Sequence, residues 1–283
     1  MSNETDRSFE FNDKHFFTLK ELIYKESGIN LSEAKRQMMY SRLARRLRVL
    51  NMTSFDQYCQ LLEDSPEQEM TLFVNAITTN LTYFYRENHH FEFLEEELIP
   101  LWKKTRSHSK RIRIWSAGCS SGEEPYSLAI ILREQFPQDS GWDVKILATD
   151  LDTAILDKAK KGVYLEEALE KVPKNRSERW FKKGTADNQG KVLVSQSLKD
   201  MIAFKQLNLF ESWPMKGPFD LIICRNVLIY FDKESQGGLI RRYNELLPSD
   251  GWLFVGHSEN ITGLCDEIHL ENKSMYRKIS KGS

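Results

Sequence analysis

The spacing of apolar residues changes character near Arg111. Before it, Phe16, Leu19, Leu22 and Ile23 recur at the three- and four-residue intervals of a helix face. Met39, Leu43, Leu47 and Leu50 repeat that stripe, and Phe55, Tyr58, Leu61 and Leu62 make a third. A fourth runs from Glu67 to about Thr78. Residues 9 to about 86 are therefore expected to be all-helical, with Ser32 placed to cap the second helix. Phe91 to Trp102 reads as an amphipathic helix ending near Pro100 and linking two domains.

Beyond Arg111 the apolar runs shorten and become rich in β-branched residues: Ile112–Trp115, Val144–Ala148, Ile202–Leu207, Phe219–Cys224 and Trp252–Val255. Helical patterns lie between several of them, which indicates a mostly parallel sheet. Ser274–Ile279 is expected as a last edge strand. Residues 164–199 break the alternation, with a short strand at Lys191–Val194 behind the turn-like Asp187-Asn-Gln-Gly190. That stretch is expected to be a small antiparallel insertion.

A charged fraction of 29% and 40% apolar residues fit a globular chain, and 40 basic against 41 acidic residues leave no global field to draw nucleic acid or membrane. Any charged partner must then meet a local patch. The polar N-terminus, Ser2 to Glu10, lacks a signal-peptide core, and no apolar run is long enough to span a bilayer. Cys59, Cys119, Cys224 and Cys265 are scattered, so reduced thiols in a cytoplasmic protein are expected, without zinc or disulfides.

Chemistry concentrates where the strands end. Ile112-Arg-Ile-Trp-Ser-Ala-Gly-Cys-Ser-Ser-Gly-Glu-Glu-Pro-Tyr126 runs from a strand through a glycine loop into an apolar helix. Ligands of α/β proteins bind beyond such strand ends. Glu123 and Glu124 argue against phosphate, which favours bare helix N-terminal amides. They suit a cation or a ligand rich in hydroxyl and amino groups. Neither a dinucleotide fingerprint nor a Walker loop is present. Gly118-Cys-Ser120-Ser-Gly122 matches a hydrolase nucleophile elbow, with Asp220 and His257 in hydrolase order. So short a pattern arises often by chance, and the cofactor-loop reading stands above it.

Asp150, directly off the second strand, is placed to accept both hydroxyls of a ribose, while Asp152 suits a helix cap. Arg225 and Asn226 follow the strand at Phe219–Cys224, and Gly256-His257-Ser-Glu259 follows the next. A lone histidine such as His257 is more often structural than catalytic. His89-His90 shows no carboxylate or cysteine pattern, so no metal is expected. Thr78 to Arg86 alternates polar and aromatic residues, as either a site-lining segment or a surface loop would. Arg36, Arg42, Arg45, Arg46 and Arg48, with Lys35, charge the second helix opposite its apolar stripe. Their density without interleaved carboxylates points to an anionic partner rather than a merely solvated face.

Together these segments resemble the chemotaxis receptor methyltransferases, the CheR family. Thr79-Asn-Leu-Thr-Tyr-Phe-Tyr-Arg86, Ala117–Ala129, Ala148-Thr-Asp-Leu-Asp152, Cys224-Arg-Asn-Val-Leu-Ile-Tyr-Phe231 and Gly256-His-Ser-Glu259 carry the resemblance in order, across nearly the whole chain. It implies an α/β fold: an N-terminal all-helical receptor-binding domain (1–86), a linker helix (87–105) and a Rossmann-like methyltransferase domain (106–283), with the β insertion at about 164–199. It implies S-adenosyl-L-methionine as cofactor, S-adenosyl-L-homocysteine as product, and glutamate side chains on the cytoplasmic helical domain of chemoreceptors as substrate. Matching positions imply a cofactor site of Asn80, Thr82, Arg86, Glu123, Asp150, Asn208, Leu209, Arg225 and Asn226. Arg86 and Tyr230 would orient the acceptor, and Arg36, Arg42, Arg45, Arg46 and Arg48 would meet the receptor. Expected with it are a cytoplasmic location, no nucleic acid and no membrane insertion, with the oligomeric state open and a monomer favoured.

Two alternatives differ in kind. A nucleic-acid base methyltransferase would show Asn/Asp-Pro-Pro-aromatic after the fourth strand, where Cys224-Arg-Asn-Val227 stands. A non-catalytic signalling module would bind cofactor or receptor without transferring methyl. A glutamate carboxylate is ionised at neutral pH, so its methylation needs alignment and desolvation rather than a general base.

Overall fold

The structure, a computed structural model, describes residues 9–279. Most of the acidic stretch from Ser2 lies outside them, as do the ends of the expected first and last domains. The chain divides into two compact units: residues up to Thr79 with Tyr230–Asp232, and Asn80–Ile229 with the chain from Lys233 onward. Asn80–Arg86, assigned above to the helical part, group with the sheet-bearing unit.

The first unit is built on four helices: α1 (Asp13–Ser27), α2 (Arg36–Val49), α3 (Phe55–Asp64) and α4 (Pro66–Ile77). Asn12 caps α1 through the amide of His15, and Gly28, at φ +69°, closes it where a side chain would be strained. Ser32 does not cap α2. It precedes a 3₁₀ turn, Glu33–Lys35, and its side chain makes no capping bond. Ser54 caps α3, and Pro66 opens α4 where no amide donor is needed. Of the expected stripes, Phe16, Leu19, Ile23, Met39, Leu43, Leu47, Phe55, Tyr58 and Leu62 are buried, and Leu22, Leu50 and Leu61 are half-buried.

The second unit opens with one long helix in three parts: α5 (His89–Phe93), a π-turn (Leu94–Leu98) and α6 (Ile99–Thr105). The helix does not stop at Pro100. The missing Pro100 N–H is absorbed by the widened turn before it. Phe91, Leu94, Leu98, Ile99 and Trp102 lie in the unit's main core, so this helix is part of the unit's packing and not merely a link.

Strands and helices then alternate: β1 (Arg111–Ala117), α7 (Glu123–Gln135), β2 (Asp143–Asp150), α8 (Thr153–Lys161), β3 (Val163–Leu165), α9 (Lys174–Trp180), β4 (Phe181–Lys183), β5 (Lys191–Val194), α10 (Gln196–Lys199), β6 (Ile202–Gln206), β7 (Leu221–Cys224), α11 (Lys233–Leu246), β8 (Trp252–Val255), β9 (Ile268–Asn272) and β10 (Met275–Lys278). The main sheet runs β6-β2-β1-β7-β8-β10-β9. Its first five strands are parallel, and β10 is antiparallel to β8 and β9. The strand expected at the edge is therefore second from it. β9, whose outer residues are mostly exposed, lacks the apolar run that would have marked it.

Adjacent residues of β1 face opposite sides. Ile112 and Ile114 join the core shared with α7, while Trp115 packs against Tyr243 of α11 at 5.3 Å. With both faces covered, β7 is buried throughout, Leu221-Ile-Ile-Cys224. β3, β5 and β4 form the separate antiparallel sheet expected of the insertion. Among the described residues no helix is long and apolar enough to cross a membrane.

Candidate functional site

β1 hands on to β2 at one side and pairs with β7 at the other, so the strand order reverses between β1 and β7. The carboxyl ends of the parallel strands at such a reversal frame a crevice. Four non-glycine residues near these ends hold left-handed backbones: Tyr85 (φ +57°), Glu87 (+56°), Ser120 (+49°) and Asn226 (+59°). Such conformations cost free energy and gather at functional sites.

The loop after β1 turns on Gly118 and Gly122, at φ +82° and +97°. A Cβ on Gly118 would lie 2.4 Å from Val227 Cγ2, and one on Gly122 would lie 2.9 Å from both Ala159 Cβ and the Tyr164 hydroxyl. Each glycine thus serves a close approach within the protein as well as the turn. Asp150, at the β2 tip, accepts from the Ser120 amide at 2.7 Å and the Asp152 amide at 3.0 Å, one to each oxygen. Burial is the main cause that pushes its carboxyl up, to about 6. Asp152 caps α8 through Ala154 and Ile155 and also accepts from Asn80 Nδ2 at 2.8 Å. Asn80 also accepts at its carbonyl from Ser120 Oγ at 3.3 Å.

Glu123 is buried at the start of α7 and accepts from Ser121 Oγ at 2.6 Å. Thr82 is half-buried on the segment that follows Asn80. Asn208 is buried and folds its loop by accepting from the Phe210 amide at 3.0 Å. Leu209 is tied through its carbonyl to Arg242 at 2.6 Å. Leu207 donates to the carbonyl of Asp150 at 3.0 Å, which fixes this loop to the β2 tip.

Arg225, expected beside the cofactor, bonds to its own chain through Nε and Nη1. Its guanidinium is buried and committed to the protein: Nε donates to Glu124 at 2.7 Å, and Nη1 donates to the Arg86 carbonyl at 2.5 Å and to His90 Nδ1 at 3.1 Å. Burial first, then Arg225, pushes His90 down to about 2, so its ring is neutral and its Nε2–H donates to Ser274 Oγ at 2.9 Å. Glu87, His89 and His90 bring three possible metal ligands within 4.8 Å of one another. The His90 lone pair is already taken by Arg225. Arg86 donates to the Leu81 carbonyl at 2.6 Å and lies over Tyr83.

Asn226 donates its amide to Glu259 at 2.8 Å, and Gly256 donates to the same oxygen at 2.6 Å, which couples the β7 and β8 ends. Glu87, Glu124 and Glu259 tie the strand ends together, yet none was named as a site residue in its own right from the sequence. Glu124 was read only beside Glu123, and Glu87 directly follows the Thr79–Arg86 segment, which was its one signal.

The hydrolase triad does not assemble. Asp220 precedes β7, at the amino edge of the sheet, and is held by Arg106 and the Arg113 amide. Ser120 follows β1, at the carboxyl edge, and His257 pairs with Glu87.

In the helical unit the five arginines do different work. Arg42 donates to the carbonyls of Ile77 and Thr78, both at 2.6 Å, closing the end of α4. Arg46 grips Glu69 with two bonds, 2.5 and 2.6 Å, and Arg36 pairs with Asp13 over the Phe11 and Phe16 rings. Arg45 and Arg48 are exposed, and Arg48 lies over Phe9. Three of the five arginines expected to meet the receptor, Arg36, Arg42 and Arg46, thus bond within the helical unit. Tyr230 groups with this unit, its carbonyl accepting from the Asn30 amide at 2.8 Å, and it lies near Arg42.

A seven-stranded sheet with this reversal, an acidic glycine loop and a carboxylate on the second strand is the arrangement of Rossmann-like S-adenosylmethionine-dependent methyltransferases. Residues 80–277 match the model of the CheR methyltransferase SAM binding domain, and residues 14–78 match the CheR methyltransferase all-alpha domain. The chain belongs to the CheR methyltransferase family. It is similar to the chemotaxis protein methyltransferase of Salmonella typhimurium, 43% identical over 93% of this chain and 90% of the relative. Chemotaxis protein methyltransferase 2 of Pseudomonas aeruginosa is 42% identical over 96% and 95%. The Escherichia coli chemotaxis protein methyltransferase is 42% identical over 93% and 90%.

The cofactor is S-adenosylmethionine, and the donor set fits it. Asp150 presents two amide-held carboxylate oxygens at the β2 tip, the pair of acceptors that a vicinal diol calls for.

Proposed function

We propose that the chain methylates glutamate side chains on the cytoplasmic helical domain of chemoreceptors, forming glutamyl methyl esters in chemotactic adaptation, and that it acts in the cytoplasm. The observation that carries this reading is the joint match of both parts of the chain to the CheR family, with relatives named as chemotaxis protein methyltransferases covering nine-tenths of each chain. We further propose that Asn80, Thr82, Glu123, Asp150, Asn208, Leu209 and Asn226 line the cofactor site, with Arg86 near the acceptor. When bound, S-adenosylmethionine supplies a sulfonium methyl; a carboxylate oxygen forms the new C–O bond as the C–S bond breaks, and no proton changes hands.

The residues around that event align and dehydrate. Asp150 holds the ribose end. Arg225 braces the Arg86–Glu87 turn from within, through the Arg86 carbonyl and the Glu87 carboxylate. Stripping water from the acceptor carboxylate costs free energy that receptor contacts must offset. In the helical unit, Arg45 and Arg48 are exposed cations of α2 suited to an acidic receptor helix. Val227 stands where base methyltransferases carry proline and packs on Gly118, which counts against a flipped-base grip.

The test supplies radiolabelled cofactor with a receptor cytoplasmic fragment and, separately, nucleic acid. Base-labile label on receptor glutamates is expected. Label on nucleic acid, or none on receptor, overturns the reading.

A further inference from the structure

We propose that His257 binds the acceptor carboxylate, with Glu87 as the positioning residue that aims its ring. This rests on the proposed glutamate methylation and adds a group to it. His257 follows β8 at the carboxyl edge of the sheet, beside the Asn226 turn at the end of β7. Its side chain is 69% exposed, yet it is fixed at two points. Glu87 accepts from the His257 amide at 3.1 Å through one oxygen and binds ring Nδ1 at 2.9 Å through the other.

An exposed histidine ordinarily samples several rotamers. Here a carboxylate with a side chain only 9% exposed sits behind the ring. That carboxylate is itself held: Asn226 Nδ2 donates to it at 3.3 Å, and the Arg225 guanidinium stands 3.9 Å away. Burial alone would raise the Glu87 carboxyl. The bonds from His257 and Asn226 and the Arg225 charge outweigh it and hold it below its ordinary value. Glu87 therefore stays an acceptor, and Nδ1 must be the donor. The opposite nitrogen, Nε2, then points away from Glu87. In the charged ring it offers one N–H outward.

Position selects what that N–H meets. With the ribose at the β2 tip, the reactive end of the cofactor lies toward β7, two strand spacings or about 10 Å across the sheet. The acceptor must come from the far side of that end, over β7 and β8, where His257 stands. Behind the ring lie Glu87, Arg225, neutral His90 and, on its own loop, Glu259. One acceptor oxygen on Nε2–H leaves the other free to attack. No proton moves, because forming an ester from a carboxylate needs none.

The carboxylate loses its charge as the methyl transfers. A donor on it therefore binds the ground state at least as well as the transition state, so its loss raises KM more than it lowers kcat. His257→Ala should raise the KM for receptor fragment about tenfold or more, the effect of one charge-assisted hydrogen bond. Its kcat should stay within about threefold, and its calorimetric affinity for S-adenosylmethionine should match wild type. Millimolar imidazole should restore part of the loss, since the side chain is exposed, whereas equal sodium chloride should not. Glu87→Gln should give a smaller rise in KM that imidazole does not reverse.

A wild-type KM in His257→Ala overturns the assignment. So does a rise that imidazole leaves untouched while it is matched by lost cofactor affinity, because that marks a structural role. A wild-type protein that forms no base-labile receptor ester refutes the underlying function instead, before the variants are compared.

Discussion

Replacing Arg46 by alanine tests whether the arginine-rich α2 is a bracing element or a free charged face. Arg46 makes two bonds to Glu69, whose side chain is 4% exposed, and Tyr58 donates to the same carboxylate at 3.0 Å. Burial first, and then Glu69 beside it, push the Tyr58 hydroxyl up, so it remains a donor. Without Arg46 the Glu69 charge keeps one neutral partner in a buried place. Breaking a buried pair this way costs about 3–5 kcal/mol. The Arg46 side chain is 20% exposed, which favours the lower end, about 3 kcal/mol. For a unit of this size that lowers the melting temperature by about 12–24 °C. The assay is scanning calorimetry with S-adenosylmethionine present, which stabilises the sheet-bearing unit by mass action and separates the helical transition. Adding Glu69→Gln to Arg46→Ala should recover part of the loss, because the uncompensated charge is gone. Arg45→Glu with Arg48→Glu should shift the transition little, about 0.5 kcal/mol per change, yet weaken receptor methylation in a salt-sensitive way. If Arg46→Ala melted with wild type, the bracing argument would fail and Arg46 would return to the docking face.

Asp150 should make cofactor affinity depend on pH. Its carboxyl titrates at about 6 because burial disfavours the charge, so affinity for S-adenosylmethionine should fall roughly tenfold between pH 8 and pH 5, a dependence that calorimetry should find missing in Asp150→Asn. Its effect on folding has the opposite sign: the stabilisation present below its ordinary carboxylate range is lost as pH rises through about 6. Gly118→Ala should cost about 2–5 kcal/mol in urea unfolding, part from the left-handed φ and part from the 2.4 Å contact with Val227. Val227→Ala in that background should recover only the packing part, and an unchanged midpoint for Gly118→Ala would contradict both terms.

Much of the architecture was legible from periodicity. The helix stripes from Phe16 to Leu62, five parallel strands and the antiparallel insertion each bury a face, and burial imposes a repeat of 3.6 or 2 on the residues themselves. Pro100 and β9 were misread for a related reason. A π-turn can absorb a missing amide without any local mark, and a mostly exposed edge strand needs no apolar run. The placement of Asp150 at the end of its strand was also legible, because it directly follows the apolar run. The roles of the charges were not. Nothing local distinguishes Arg46 from Arg45, or marks Arg225 as bonded to Glu124. Glu69 lies 23 residues from Arg46, and Glu124 lies 101 residues from Arg225. His257 likewise read as a lone histidine, since Glu87 is 170 residues away. The sequence by itself determined which faces are buried and which strands end in polar groups, because water acts on every residue where it stands. Only the tertiary structure decided which charges are paired inside and which remain free to act, because an ion pair is a property of two distant places brought within about 3 Å.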